Sequence, residues 1–99
     1  MKNYALSLTN LSQEDIYTSQ EFYEKQSPNL GVYFYDSIIV DLDALKFYAG
    51  IHQKHFGLYR MITKRFPYAI YYDIEGELVV VHAILHTRRN IDFIEKRLT

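Results

Sequence analysis

The chain has 99 residues, 48% of them hydrophobic and 23% charged, which fits one folded domain, residues 1–99, with a single core and excludes a disordered chain. It has no cysteine, so neither a disulfide scaffold nor thiolate chemistry is open to it. The formal net charge of −1 hides an asymmetry: residues 1–50 carry three basic against seven acidic side chains, and residues 51–99 carry eight against five.

Tyr4 to Thr9 alternates large apolar with small or polar residues, as a strand with one buried face does, and Tyr4, Leu6 and Leu8 are predicted to point inward. Ser12 reads as an N-cap with Glu14 and Asp15 in a first helical turn, and this helix is predicted to reach about Lys25. Its inner face (Ile16, Tyr17, Gln20, Tyr23) is unusually polar for a core stripe. Ser27-Pro28 predicts a second helix, with serine as cap and proline at the first helical position. Leu30, Phe34, Ile38, Leu42 and Leu45 recur on one stripe, and Ala49-Gly50 ends the helix after about 22 residues, roughly 33 Å. The short break between the helices requires an antiparallel hairpin.

His55 to Thr63 is predicted as the next strand, Lys64-Arg65 as a turn, and Pro67 as the entry to a strand over Tyr68 to Ile74. Glu75-Gly76 makes a short loop. Glu77 to His86 follows; Leu78, Val79, Val80 and Val81 are apolar on both faces, the mark of a central, doubly covered strand. Asn90 is placed to cap a last helix from Ile91 to Leu98, with Arg97 at its negative end. Helices segregated from consecutive strands predict an α+β fold, with the hairpin on one face of an antiparallel sheet.

The four histidines do not make a metal site. On a strand His82 and His86 lie about 13 Å apart, and His52 and His55 have no carboxylate or thiol beside them in sequence. The scattered glycines form no phosphate loop, and no serine or threonine stands in a nucleophile elbow, so no cofactor is implied. What remains is a basic cluster: Arg60, Lys64, Arg65, His86, Arg88 and Arg89 near strand ends, then Lys96 and Arg97 on the terminal helix. It could hold RNA phosphates with His86 placed for proton transfer, grip an acidic protein surface, or merely cap helix ends.

Tyr59-Arg60, the Phe66-Pro67-Tyr68 block with Ile70 and Tyr72, and the closing run Val81 to Asn90 with its His86-Thr87-Arg88-Arg89 core resemble the ParE branch of the RelE/ParE superfamily of bacterial toxins. The resemblance implies a RelE/ParE-like fold and a cytoplasmic toxin of a type II toxin–antitoxin, plasmid-stabilisation pair, with no membrane segment. A cognate, ParD-like antitoxin would form a hetero-oligomer with it over the helical hairpin, with Ile16, Gln20, Tyr23, Phe34, Ile38 and Leu42 as candidate contacts. ParE-like members poison DNA gyrase; RelE-like and YoeB-like members cleave messenger RNA on the ribosome. On the second alternative His86, Arg60 and Arg88 would be catalytic. Aligned with that pattern, however, His86 falls on the YoeB-like catalytic His, Thr87 on the neighbouring Tyr, and the Arg preceding the third strand falls near Tyr68. The departures favour gyrase binding through the basic cluster over ribonuclease chemistry.

Overall fold

The computed structural model describes residues 3–99, so Lys2, one of the three basic residues of the first half, lies outside the described residues. The order is β1 (Ala5–Leu8), α1 (Asn10–Gln26), α2 (Leu30–Tyr48), β2 (Lys54–His55), β3 (Leu58–Ile62), β4 (Tyr68–Glu75), β5 (Leu78–His86) and α3 (Ile91–Leu98). The five strands form one sheet in the order β1-β5-β4-β3-β2. Pairings within β2 to β5 are antiparallel, but β1 joins β5 in parallel, so the sheet is mixed where an antiparallel one was expected. The α1–α2 hairpin is what permits this, because a parallel partner needs a long crossover before the chain returns.

Thr9 couples the first strand to the first helix. Its amide donates to the Val81 carbonyl at 3.0 Å, continuing the β1 ladder, while its hydroxyl accepts the Ser12 amide at 3.2 Å. Thr9, not Ser12, is therefore the N-cap; Ser12 is wholly buried one turn inside the helix and donates back to the Thr9 carbonyl. Glu14 and Asp15 consequently lie beyond the first turn.

The second helix also begins later than expected. Ser27 is the C-cap of α1, Pro28 lies in the turn, and Asn29 caps α2 from a left-handed conformation with φ 70°. Asparagine tolerates that region better than most residues. The Glu24 carboxylate accepts the Asn29 and Gly31 amides at 3.0 and 2.9 Å, supplying the cap expected of Ser27. At Gly31 a β-carbon would lie 2.6 Å from the Gln20 carbonyl, so glycine is what lets the two helices approach there. Four of the five residues of the α2 stripe are seated as predicted: Phe34, Ile38, Leu42 and Leu45 are buried against Ile70, Tyr72, Val79 and Val81, while Leu30, at the start of the helix, is only half-buried and outside that core. Burying each such side chain contributes about 1.5–3 kcal/mol.

His55 to Thr63 is not one strand. It folds into a hairpin, with Phe56 and Gly57 at φ 54° and 83° between the paired residues His55 and Leu58. Two successive positive φ values make the type I′ loop usually signalled by Asn-Gly, and phenylalanine in the first place conceals it. Near Pro67 the Tyr68 amide reaches the Phe66 carbonyl at 2.8 Å, a three-residue turn suited to the fixed φ of proline.

Strand β5 contains a bulge. Tyr72 pairs with Val81 and Tyr71 with Ala83, leaving His82 unmatched. Before it, Val79 and Val81 face the hairpin; beyond it, Ala83 and Leu85 face the other way, joining Ala69, Tyr71 and Ile94 in a second core under α3. Ile84 returns to the hairpin side. Helix α3 is capped as predicted, Asn90 accepting the Asp92 amide at 2.7 Å. It is tied across the molecule by Arg97, which donates both terminal nitrogens to the Asp15 carboxylate at 2.8 Å. The same carboxylate accepts the Ile84 amide at 3.0 Å, beyond the point where β1 has ended. No helix among the described residues is long and apolar enough to cross a membrane.

Asp15→Asn leaves most of a guanidinium charge buried without its counter-charge; the side chains of Asp15 and Arg97 are only 14% and 18% exposed. Its expected cost is about 2–3 kcal/mol in urea unfolding, and Asp15→Asn with Arg97→Met recovers at least half of that.

The Tyr72 phenol accepts the Gly50 amide at 2.9 Å and shares a hydrogen bond with His52 Nδ1. Burial holds His52 below its ordinary 6.5, so the folded chain takes up this proton less readily than the unfolded one. His52 therefore contributes its stability above about pH 6.5, and that contribution is lost as pH falls from there through the lower folded value. The urea midpoint should drop between about pH 7.5 and 5.5, with a smaller drop in His52→Gln.

Candidate functional site

The basic residues do not converge on one point. Arg60 lies on the α3 side of the sheet, its Nε donating to the Tyr71 hydroxyl at 3.1 Å. His86 lies on the hairpin side, paired across strands with Tyr68, their rings 5.3 Å apart and near edge to face. The sheet thus separates two of the three residues of a ribonuclease set, Arg60 and His86. Arg88 and Arg89 are exposed in the turn after β5, and the Arg89 guanidinium lies 4.4 Å from the Phe93 ring centroid. Arg89 borders hollows on both sides of the sheet.

Lys64 and Arg65 occupy the loop before Pro67. The Lys64 amide donates to the buried carboxylate of Asp41 at 3.2 Å, and Arg65 reaches the Tyr33 hydroxyl of α2 at 3.5 Å. Lys96 is exposed on α3, whereas Arg97 is engaged by Asp15. Among the described residues no three His, Asp or Glu side chains gather in a manner suited to a metal ion.

Between α1 and the end of β5 lies a cleft of two adjoining cavities, about 220 and 310 Å³. Thr18, Ser19, Tyr68, His86 and Arg89 line both. Its α1 wall is the run Leu11, Asp15, Thr18 and Phe22, spaced by four, three and four residues, a single helical stripe. Sequence reasoning took the opposite stripe as the functional one and missed this wall, although the spacing is present in the sequence. The floor rests on an aromatic cluster: Tyr23 stacks on Phe34 with centroids 5.1 Å apart and meets the tilted Phe66 ring at 4.8 Å, and Phe34 lies against Tyr68 at 5.0 Å. Burial, and then the adjacent Tyr68 phenol, push the Tyr23 hydroxyl up to about 12, so it stays neutral.

His86 Nδ1 accepts the Arg88 amide at 3.0 Å. A neutral imidazole bonded in this way carries its proton on Nε2 and presents a donor to the cleft, not a base. Tyr68 is 5% exposed and belongs to the core, and the residue after His86 is a threonine whose amide is bonded to the Pro67 carbonyl. The cleft therefore offers cations, hydroxyls and apolar surface with the Glu14 and Asp15 carboxylates at one end, an arrangement suited to binding.

The candidate antitoxin contacts divide by burial. Ile16, Phe34, Ile38 and Leu42 are at most 4% exposed and face the sheet, because the stripe that looked available is the one the core consumes. Gln20 and Tyr23 are half-buried. The outer hairpin surface instead presents Tyr17, Val32, Tyr33 and Val40, each about half exposed or more.

No family model matches the sequence, and no curated protein matches it significantly. Among solved structures, a chain of the chromosomal ParDE toxin–antitoxin system from P. aeruginosa is similar, with a TM-score of 0.76 and 16% identity over 84% of this chain and 95% of that one. The likeness is one of fold, and it gives this chain the RelE/ParE-like α+β architecture that the Phe66-Pro67-Tyr68 and His86-Thr87-Arg88-Arg89 blocks imply.

Proposed function

We propose that this chain is the toxin of a type II, plasmid-stabilisation toxin–antitoxin pair of the ParE kind, which works in the cytoplasm by binding DNA gyrase and is neutralised by a cognate, ParD-like antitoxin. The observation that carries the proposal is the fold likeness to a chain of a ParDE system, extending over nearly all of that chain. The chemistry of the cleft supports a binding role. His86 presents a donor, and Arg60 lies on the other side of the sheet, so the Arg60 and His86 of the expected RNA-cleaving set are not assembled together. Arg88, Arg89 and Lys96 remain exposed for contact with a protein target; His86, Arg60, Lys64 and Arg65 border that surface, and Arg97 supports it from below.

The antitoxin is assigned to the outer hairpin face. Tyr17, Gln20 and Val32 line a hollow between α1 and α2, and Leu8, Tyr35 and Ile39 line the next one along. Contiguous exposed apolar surface of this kind marks a protein contact.

Two measurements test the reading. Purified chain should inhibit gyrase supercoiling, and charge reversal at Arg88 and Arg89 together should weaken inhibition about tenfold or more; ribosome-dependent cutting of message abolished by His86→Gln would identify a nuclease instead. The product of an adjacent open reading frame should bind the chain, with Val32→Asp and Val40→Asp together reducing affinity about tenfold. No affinity for that product removes the antitoxin from the proposal.

A further inference from the structure

The cleft between α1 and the end of β5 has a chemistry that specifies its occupant further. Leu11 and Phe22 stand at its two ends, 56% and 57% exposed, although they lie on the same stripe as the well-buried Asp15. Eleven residues of helix separate them, about 16 Å. Large apolar side chains held in the open at both ends of a formed groove are anchors without a partner in this chain.

The backbone edge beside the groove is already occupied. Beyond Thr9 the β5 edge has no neighbouring strand among the described residues, and the Asp15 carboxylate takes the Ile84 amide while Arg97 reaches the His82 carbonyl at 3.4 Å. An extended segment adding itself as a strand would have to displace that ion pair. An occupant must therefore dock through its side chains, and the form that projects apolar side chains along one line over three turns is an amphipathic helix.

Charge gives the helix its sign and direction. Arg88 rims the Phe22 end, Arg89 lies between the two cavities, and neither makes an ion pair among the described residues. Glu14 and Asp15 lie toward the Leu11 end, Asp15 being neutralised by Arg97. A nucleic-acid backbone following the groove would leave the arginines and meet Glu14, which is unfavourable for a uniformly anionic strand. A helix with carboxylates in its final turns complements the arginines twice over, through its side chains and through the negative end of its dipole.

The geometry points to this groove as the seat of an acidic amphipathic helix of the protein target, its C-terminal end lying over Arg88 and Arg89 and its apolar stripe between Phe22 and Leu11. This inference rests on the toxin reading, whose target it describes.

The probe is a fluorescein-labelled, amidated peptide of about 15 residues, with leucine at every third or fourth position and glutamates in its last two turns, compared with a peptide in which lysines replace those glutamates. Anisotropy titration should show the glutamate peptide binding at least about tenfold more tightly. Phe22→Ala should weaken it about tenfold, and Arg88→Glu with Arg89→Glu should invert the order of the two peptides. All three substituted side chains are exposed, so the fold should survive. Equal binding of both peptides, indifference to these substitutions, or displacement of the glutamate peptide by oligouridylate at lower concentration than by its own unlabelled form would overturn the proposal. Gyrase assays separate the two levels: inhibition that survives the double charge reversal after peptide binding is lost overturns the groove as the target's seat and leaves the toxin reading intact. Absence of inhibition by the unsubstituted chain removes the toxin reading, whatever the peptides do.

Discussion

The Asp15 carboxylate holds three elements that would otherwise part. It belongs to α1, accepts a β5 amide and is gripped at two points by an arginine from α3. Where β1 ends, β5 still has backbone groups facing outward, and a buried amide without a partner costs about 1–3 kcal/mol. One side chain performs the service of a missing strand. Its charge then recruits the last helix, which at eight residues could not persist alone in water. The second core under α3 depends on this contact, since Ile94 covers Ala69 and Ala83, residues too small to hold a helix by shape alone.

The hairpin is set by comparable economies. Glu24 caps the following helix from the preceding one, and Gly31 removes the β-carbon that would strike the Gln20 carbonyl. The two helices are thereby fixed in register by contacts of their own, without the sheet. Tyr72, wholly buried, then connects the far end of this unit to the strands through Gly50 and His52. Polar contacts determine orientation at these points, while Phe34, Ile38, Leu42 and Leu45 supply most of the cohesive free energy.

Much of this was legible in the sequence, because periodicity is a direct consequence of burial. The α2 stripe, the Asn90 cap, the glycine past α2 and the strand after Pro67 all carry signals internal to a few residues. The parallel placement of β1 has no such signal, since Tyr4 to Thr9 reads alike beside any neighbour. Phe56-Gly57 concealed a turn because phenylalanine rarely accepts a positive φ, and Ser27-Pro28 imitated a cap that Glu24 provides from another helix. The site was harder to read for a related reason: the sequence shows which residues are basic but not on which side of a sheet each will stand. Arg60 and His86 were separated by pairing, and Arg97 was claimed by an aspartate 82 positions away.

Which face a strand's side chain takes is a matter of odd and even, and the unmatched His82 changes the count in mid-strand. Upstream of it odd residues serve the large core; downstream even ones do, so one nine-residue strand supplies both hydrophobic layers. The turn carrying Arg88 and Arg89 inherits that phase. Removing His82 would therefore leave both halves of β5 on the faces they now occupy, with Tyr72 still opposite Val81 and Tyr71 opposite Ala83; pulling the strand straight with His82 kept is what would act as a frameshift in space, delivering His86 and the basic rim beyond it to the opposite surface of the protein.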